Sequence, residues 1–229
     1  MKISGGFIMK ILALEFSSAQ RSIAVFDGAL PGSGGLSEVI ETGPPPTKAF
    51  AMIEEVLKQG RLEREQVECL AIGIGPGSYA GIRSALAIAQ GWQMGRPLAV
   101  VGISSADCIA AHAQAEGIRG SIQVGIDAQR KEFYLADYEL DAMAWRETAP
   151  LRLVAASELE SREKEANSSA LLVGPEADRF GGRRLFPSAA TLARLAAGRN
   201  QPLPANKMEP IYLRVTTFVK APPPRKLPS

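Results

Sequence analysis

The chain has 229 residues, of which 46% are hydrophobic and 22% are charged, proportions typical of a globular protein with one or two domains. Its 26 basic and 24 acidic residues leave a net charge of +2, which excludes a general electrostatic attraction to nucleic acid. No apolar stretch reaches the roughly 20 residues of a membrane-spanning helix, and two cysteines are too few for a disulfide framework or a zinc site. We therefore expect a cytoplasmic protein without membrane contact or bound metal.

The first part of the chain predicts strands that alternate with helices after an opening three-strand meander. Residues 1–8 precede a second Met-Lys pair and are interpreted as an extension outside the fold. In residues 9–105, apolar runs predict strands and helical spacing predicts helices. The predicted strands are 10–16, 21–26, 38–42, 67–75 and 97–102, and the predicted helices are 47–59, with Thr47 as N-cap, and 82–94.

The second part repeats the beginning of the first. Glu15 and Asp127 each stand at or near the end of an apolar run, and each is followed by Ala-Gln-Arg and a returning strand, about 110 residues apart. This repeat predicts an α/β protein of two duplicated lobes, the second of which (106–214) is abbreviated. Its predicted strands are 122–127, 131–138, 144–148 and 170–174, and its predicted helices are 157–165 and 188–197, with a further helix starting at Ser104. The Pro-rich residues 215–229 are expected to form a mobile tail.

A glycine-rich segment lies between a predicted strand and a predicted helix. Such a position can bind phosphate through backbone N–H groups and the helix dipole. The glycine spacing matches neither a Walker A motif nor GxGxxG, and the glycines serve equally well for a sharp turn and close packing. The candidate residues here are Gly75, Gly77, Ser78 and Gly81.

Two carboxylates are candidates for holding a magnesium–nucleotide between the lobes. Glu15 is followed by the hydroxyl of Ser17, and Asp127 occupies the matching position in the second lobe. Hard oxygen ligands of this kind suit hydrated Mg²⁺. The alternative is that each acid caps a turn, and no nucleophile or general base accompanies them.

The two helices of the first lobe carry apolar residues around more than one face. Spare apolar surface of this kind indicates a partner site, although the same residues could all pack on the sheet. If they form a partner site, replacing Ile53 or Ala89 with arginine should abolish pairing without unfolding the chain. The candidate partner-binding residues are Phe50, Met52, Ile53, Val56, Leu57, Ile82, Leu86, Ala89 and Gln90.

The single histidine, His112, limits the chemistry of the chain. HExxH and HxxxH metal sites need two histidines, and no GxSxG segment is present to supply a serine nucleophile. The sequence thereby disfavours metalloprotease and serine hydrolase activity.

Five segments of the chain carry a family resemblance: residues 9–18 (MKILALEFSS), 75–83 (GPGSYAGIR), 101–105 (VGISS), 125–134 (GIDA and EFY) and 210–214 (PIYLR). Together they resemble the TsaB (YeaZ) family, the non-catalytic partners in bacterial tRNA threonylcarbamoyladenosine synthesis. It implies an actin/hexokinase-like (ASKHA) fold. It also implies pairing, through the first-lobe helices, with a TsaD-like catalytic subunit or in a homodimer. The resemblance further implies that the TsaD-like subunit transfers a threonylcarbamoyl group to the adenosine beside the anticodon of tRNAs that read codons beginning with A.

The resemblance implies that this chain is a scaffold that performs no chemistry itself. A TsaE-like ATPase would join the pair, tRNA would be contacted through the complex, and ATP with magnesium would act in the complex rather than be required by this chain. The alternative is an ATP-dependent phosphotransferase or ATPase on the same fold. Residues 199–229 hold six basic residues and one acidic residue, so we also hypothesise that this segment touches tRNA.

Overall fold

A computed structural model describes residues 9–30, 35–43, 47–164, 170–198 and 208–213. The expectations for the extension 1–8 and the tail 215–229 fall outside these described residues. The same holds for most of the basic segment 199–229.

The first lobe is built on a five-stranded sheet with the order β3-β2-β1-β4-β5. The strands β1, β2 and β3 are antiparallel neighbours, whereas β4 and β5 continue the sheet in parallel. Nearly every residue of β1 is buried, which is why its sequence is an apolar run rather than an alternating one. The elements are β1 (Lys10–Glu15), β2 (Gln20–Asp27), β3 (Leu36–Thr42), α1 (Ala49–Gly60), β4 (Cys69–Gly73), α2 (Tyr79–Gly95), β5 (Ala99–Ile103) and α3 (Ser105–Ala115).

The second lobe repeats this topology. Its sheet has the order β10-β9-β6-β7-β8. Strands β6, β7 and β8 form an antiparallel meander, and β9 and β10 continue the sheet in parallel on the other side of β6. The duplicated, two-lobed actin/hexokinase-like fold is therefore confirmed. The second lobe is the abbreviated one, since a short helix and a 3₁₀ turn stand where the first lobe has α1 and α2. Its elements are β6 (Gly120–Asp127), β7 (Glu132–Leu140), β8 (Trp145–Ala155), α4 (Ala156–Lys164), β9 (Leu171–Gly174), a 3₁₀ turn (Ala177–Phe180), β10 (Arg183–Arg184) and α5 (Ala189–Ala197).

The lobes exchange helices across their junction. Helices α1 and α2 cover one face of the first sheet, and α5, which follows the second lobe in sequence, covers the other face. Helix α3 leaves the first lobe and packs on the second sheet. Each sheet thus completes its core with a helix from the other half of the chain.

The N-terminus of α5 is buried against the first lobe, and its backbone donors are all provided with acceptors. The Ser188 side chain caps the helix by accepting from the Thr191 N–H at 3.1 Å. The Ala189 N–H donates to Ser22 Oγ at 2.8 Å, and the Ala190 N–H donates to Glu38 Oε1 at 3.1 Å. The bonds to Ser22 and Glu38 join the lobes, so they fix the position of α5 and also satisfy its free backbone N–H groups.

Two helix starts differ from the prediction. Lys48, not Thr47, is the N-cap of α1, and no side chain bonds to the free N–H groups there. Helix α2 begins at Tyr79, three residues before the predicted start, because Ser78 caps it by accepting from the Gly81 N–H at 3.3 Å. The earlier start of α2 places Tyr79 and Arg83 on its first turns.

Both cysteines are free and buried. Burial raises the pKa of the Cys69 thiol to about 11, so the thiol stays protonated near neutral pH. Among the described residues, no helix combines the length and the apolar character needed to cross a membrane.

The junction between the lobes can be tested with Ser22→Ala. This change leaves the buried Ala189 N–H without its acceptor, so we expect the free energy of unfolding to fall by about 1–3 kcal/mol in urea denaturation. Ser37→Ala, at a half-buried position on the adjacent strand β3, is the control, with an expected change of about 0.5 kcal/mol or less. An equal effect of the two changes would contradict a special role for the Ser22 hydroxyl.

Candidate functional site

A cleft of about 1590 Å³ lies between the lobes. Its walls come from the β1–β2 turn (Ser17, Ser18), the N-terminus of α2 and the β6–β7 turn (Asp127 to Arg130). The cleft continues into a groove between α1 and α2. The duplicated hairpins identified in the sequence therefore face each other across this space.

The glycine-rich segment allows two backbone chains to pack unusually close together. A Cβ atom added at Gly77, where φ is +145°, would lie 2.2 Å from the Ser17 carbonyl oxygen. A Cβ atom added at Gly81 would lie 1.9 Å from the Phe16 carbonyl oxygen. The Ser78 N–H donates to the Ser17 carbonyl at 2.7 Å, which ties the segment to the β1–β2 turn. Close packing, the alternative left open by the sequence, accounts for both glycines.

Glu15 does not reach the cleft, and this corrects its assignment as a metal or nucleotide ligand. Its side chain is fully buried and accepts bonds from the Ser17 N–H at 2.7 Å and from the Ser105 hydroxyl at 3.3 Å. Gly73 passes so close that an added Cβ would lie 2.1 Å from Glu15 Oε2. Burial raises the pKa of the Glu15 carboxyl, and the hydrogen bonds from Ser17 and Ser105 offset part of this increase.

Gly75 is likewise placed inside the fold rather than at the cleft. It is buried, and its carbonyl accepts from the Ser105 N–H at 2.7 Å, at the start of α3. Its predicted contact with a phosphate is therefore corrected as well. The other candidates from the segment and from the first turn, Ser17, Gly77, Ser78 and Gly81, do line the cleft.

Asp127 lines the cleft but is already engaged. One carboxylate oxygen accepts from the Gln129 N–H at 2.6 Å, and the other lies 3.8 Å from the Arg179 guanidinium. Glu176 accepts from the Asp127 N–H at 3.3 Å, and burial is the main cause that raises the pKa of the Glu176 carboxyl.

The turn after Asp127 holds an arginine at the cleft in a costly backbone conformation. Gln129, Arg130 and Lys131 have φ values of 65°, 57° and 62°, so three successive non-glycine residues are left-handed. Each such residue costs on the order of 1 kcal/mol, and the surrounding hairpin must maintain them. Arg130 lines the cleft as a consequence.

The residues at the cleft do not fit a magnesium–nucleotide. The carboxylate expected from the first lobe is buried beneath Gly73 and Ser105, and Asp127 is bound to Arg179. Within the described part of the chain, no group of three or more His, Cys, Asp or Glu side chains is placed to hold a metal ion. The phosphotransferase alternative therefore lacks the ligand pair on which it was based.

Seven of the nine candidate partner-binding residues belong to the core of the first lobe, which corrects that part of the prediction. Their exposed fractions are between 0% and 6%, and they pack between the helices and the sheet. Residues in this position have no surface left for a partner. The seven are Met52, Ile53, Val56, Leu57, Ile82, Leu86 and Ala89.

The outer surface of the same helices keeps an apolar groove. Phe50 is 68% exposed on α1, and small or half-buried apolar residues of α2 face it across the cleft. Gln90, the ninth candidate, is exposed on α2. We call this surface the α1–α2 groove and define it by Phe50, Ala87, Ile88, Gly91 and Trp92, which all line the cleft.

Three residues in and beside the cleft were not singled out from the sequence: Tyr79 and Tyr212 line it, and Arg83 contacts Tyr79. Tyr79 and Tyr212 have ring centroids 5.3 Å apart, and Arg83 donates to the Tyr79 hydroxyl at 2.8 Å. They come from α2 and from a segment more than a hundred residues later. No local pattern connects them, although the resemblance included both segments.

Comparison with known proteins gives consistent results. A family model described as TsaD, tRNA N6-adenosine threonylcarbamoyltransferase, matches residues 47–170. The Haemophilus influenzae protein named tRNA threonylcarbamoyladenosine biosynthesis protein TsaB is 27% identical, over 90% of this chain and 94% of that protein. The Escherichia coli protein of the same name is 29% identical over 58% of this chain, and that match spans only 56% of the relative's length.

Solved structures show the same fold. YeaZ from Pseudomonas aeruginosa has a TM-score of 0.73 at 23% identity, covering 90% of this chain and 100% of that one. A Pseudomonas aeruginosa protein described as similar to peptidase YEAZ has a TM-score of 0.75 with the same identity and coverage.

The corrected position of Ile53 leads to a test. Ile53→Arg places an unpaired charge in the first-lobe core, so we expect the free energy of unfolding to fall by about 3 kcal/mol or more. Thermal denaturation followed by circular dichroism measures this loss. A variant that stays as stable as the wild type but fails to pair would restore the original assignment.

The buried carboxyl of Glu15 predicts a pH-dependent stability. Because its pKa is raised in the folded state above the ordinary value of 4.5, its favourable contribution is complete below pH 4.5. That contribution is lost as the pH rises through the folded-state pKa. Glu15→Gln keeps a neutral group that can bond to Ser17 and Ser105, so the variant should gain stability relative to the wild type between pH 4.5 and pH 8.

Urea denaturation across this pH range measures the difference between the two proteins. The exposed Glu65→Gln is the control and should show no comparable trend. A constant difference between the Glu15 variant and the wild type at all pH values would contradict the buried-carboxyl interpretation.

Proposed function

We propose that this chain takes part in forming threonylcarbamoyladenosine in tRNA. The proposal rests on its family, since the chain belongs to the tRNA N6-adenosine threonylcarbamoyltransferase family and within it to the TsaB (YeaZ) proteins. In this proposal the chain is a scaffold subunit in the cytoplasm. It binds a TsaD-like subunit that carries out the transfer, and a TsaE-like ATPase joins the pair. The names of the curated relatives support the pathway, and the geometry of the first lobe supports the scaffold role.

The observation that carries the scaffold role is the α1–α2 groove. An aromatic ring as exposed as that of Phe50 is unfavourable in water and is a typical anchor in protein interfaces. Opposite it, Ala87 and Gly91 have almost no side chain, so a helix of a partner can approach the backbone of α2 closely. The partner surface is therefore assigned to the exposed side of the two predicted helices rather than to their buried side.

The cleft supports a role in which this chain catalyses no reaction itself. Its first-lobe carboxylate is buried, and its second-lobe carboxylate lies 3.8 Å from the Arg179 guanidinium. A subunit that organises a catalytic partner needs neither group in an open, reactive position. A homodimer through the same groove, which the resemblance also implies, would compete with the catalytic subunit for one surface.

Gly91→Arg tests the groove without disturbing the fold. A Cβ atom added at Gly91 meets no atom within 4 Å, so the new side chain is accommodated on the free chain. In the complex the charge would be trapped in an apolar interface, and we expect at least about tenfold weaker binding, or about 1.4 kcal/mol. Isothermal titration of the TsaD-like subunit into the purified chain measures the affinity.

Two controls accompany this variant. Gly91→Ala should pair like the wild type, and its melting temperature should equal or exceed that of the wild type because alanine is the better helix former. Met143→Arg places the same charge on the second lobe, at a side chain that is 91% exposed, and should leave the affinity unchanged. Unaltered binding by Gly91→Arg would rule out the groove as the partner surface.

A further inference from the structure

Tyr79 and Tyr212, which line the cleft, form one cluster with Arg83, which we call the tyrosine–arginine cluster. The tyrosine ring planes are inclined by 37°, and the Arg83 guanidinium carbon lies 5.2 Å from the Tyr79 ring centroid. The exposed fractions of Tyr79 and Tyr212 are 56% and 41%, so large parts of both rings face solvent. Arg83 holds Tyr79 in place by donating to its hydroxyl, which makes the cluster a preformed aromatic surface.

Arg83 and Arg130 differ from Arg21 and Arg179 in their ion pairs. Arg21 pairs with Glu41 at 3.2 Å, and Arg179 lies 3.8 Å from Asp127. By contrast, no carboxylate of the described residues forms an ion pair with Arg83 or with Arg130. Arg83 contacts the Tyr79 ring from the first lobe, Arg130 lines the cleft from the second lobe, and both side chains are exposed to an anionic ligand.

The acidic groups of the cleft leave this positive character in place. The charge of Asp127 is opposed by Arg179, and Glu176 accepts a hydrogen bond from the Asp127 N–H at 3.3 Å. The strained turn at residues 129–131 keeps Arg130 at the edge of the cleft. The cluster and Arg130 therefore combine exposed aromatic faces with unpaired positive charge.

We infer that the tyrosine–arginine cluster and Arg130 bind single-stranded RNA. A base would stack on the tyrosine rings, and the two arginines would bind backbone phosphates, the combination by which proteins hold unpaired nucleotides. The inference deepens the proposed function, on which it rests for the choice of a tRNA anticodon loop as the ligand.

The chemistry of the cleft favours RNA over a mononucleotide. Among the described residues, the cleft offers no free carboxylate pair for the magnesium ion that accompanies a nucleoside triphosphate, since Glu15 is buried and Asp127 lies 3.8 Å from Arg179. An extended strand that crosses from Arg83 to Arg130 uses both lobes, whereas a single nucleotide would engage only part of this surface.

The test measures RNA binding by the full chain assembled with its catalytic subunit. The probe is a fluorescently labelled anticodon stem-loop of a tRNA that reads codons beginning with A, titrated by anisotropy at several salt concentrations. Tyr212→Ala should weaken binding between about 5-fold and about 150-fold, the range for losing one stacked base. Tyr212→Phe keeps the ring and should bind like the wild type.

The two arginines are tested through the salt dependence of the RNA affinity. Arg83→Ala and Arg130→Ala should each reduce the slope of log affinity against log salt by about 0.7, as expected for one lost phosphate contact on a single strand. Arg146→Ala, which removes an exposed arginine of the edge strand β8 that does not line the cleft, is the matched control and should leave the slope unchanged.

Two outcomes would overturn the inference. Wild-type RNA affinity in Tyr212→Ala and in both arginine variants would show that the cluster does not contact RNA. Competition by free AMP or by an acidic peptide at concentrations equal to those of the stem-loop would assign the site to a mononucleotide or a peptide instead. Titration of every variant with the TsaD-like subunit separates the two proposals, since loss of pairing tests the groove and loss of RNA binding in a fully paired complex tests the cluster.

Discussion

The close contact between the glycine-rich segment and the β1–β2 turn is the constraint on which the rest of the first lobe depends. Gly77 and Gly81 lie against the carbonyl oxygens of Ser17 and Phe16, where no side chain could be placed. This contact sets the position of the first turn of α2 above the sheet. The α1–α2 groove and the wall of the cleft follow from that position. The glycines thus act through packing, and any influence on binding is exerted through the helix that they place.

The strands could be predicted from the sequence because burial on both faces produces apolar runs, as in β1 and β4. The duplicated hairpins were also visible, since each lobe begins with the same arrangement of acid, turn and returning strand. The partner surface was not predictable at the level of residues. Ile53 and Phe50 are both large and apolar and lie one helical turn apart, yet one is 1% exposed and the other 68%. Periodicity identifies an apolar helix, but it does not tell which apolar residues pack on the helix's own sheet and which face a partner.

The candidate site shows a second limit of the sequence. An acid at the end of a strand is consistent with a ligand or with a buried structural group, and only the contacts of Glu15 with Ser105 and Gly73 decide between them. The tyrosine–arginine cluster is assembled by tertiary structure, because Tyr212 reaches Tyr79 only after the chain has returned from the second lobe. That return is fixed by the Ile211 N–H, which donates to the Ile74 carbonyl at 2.9 Å.

The exchange of helices between the lobes bears on how the chain is made. One face of the first sheet, including Ile11 and Ala24, is covered by α5, which leaves the ribosome after every strand of both sheets. During synthesis that face stays open to water and to other nascent chains until residues 189–197 emerge. The first half therefore cannot complete its core before α5 has been synthesised.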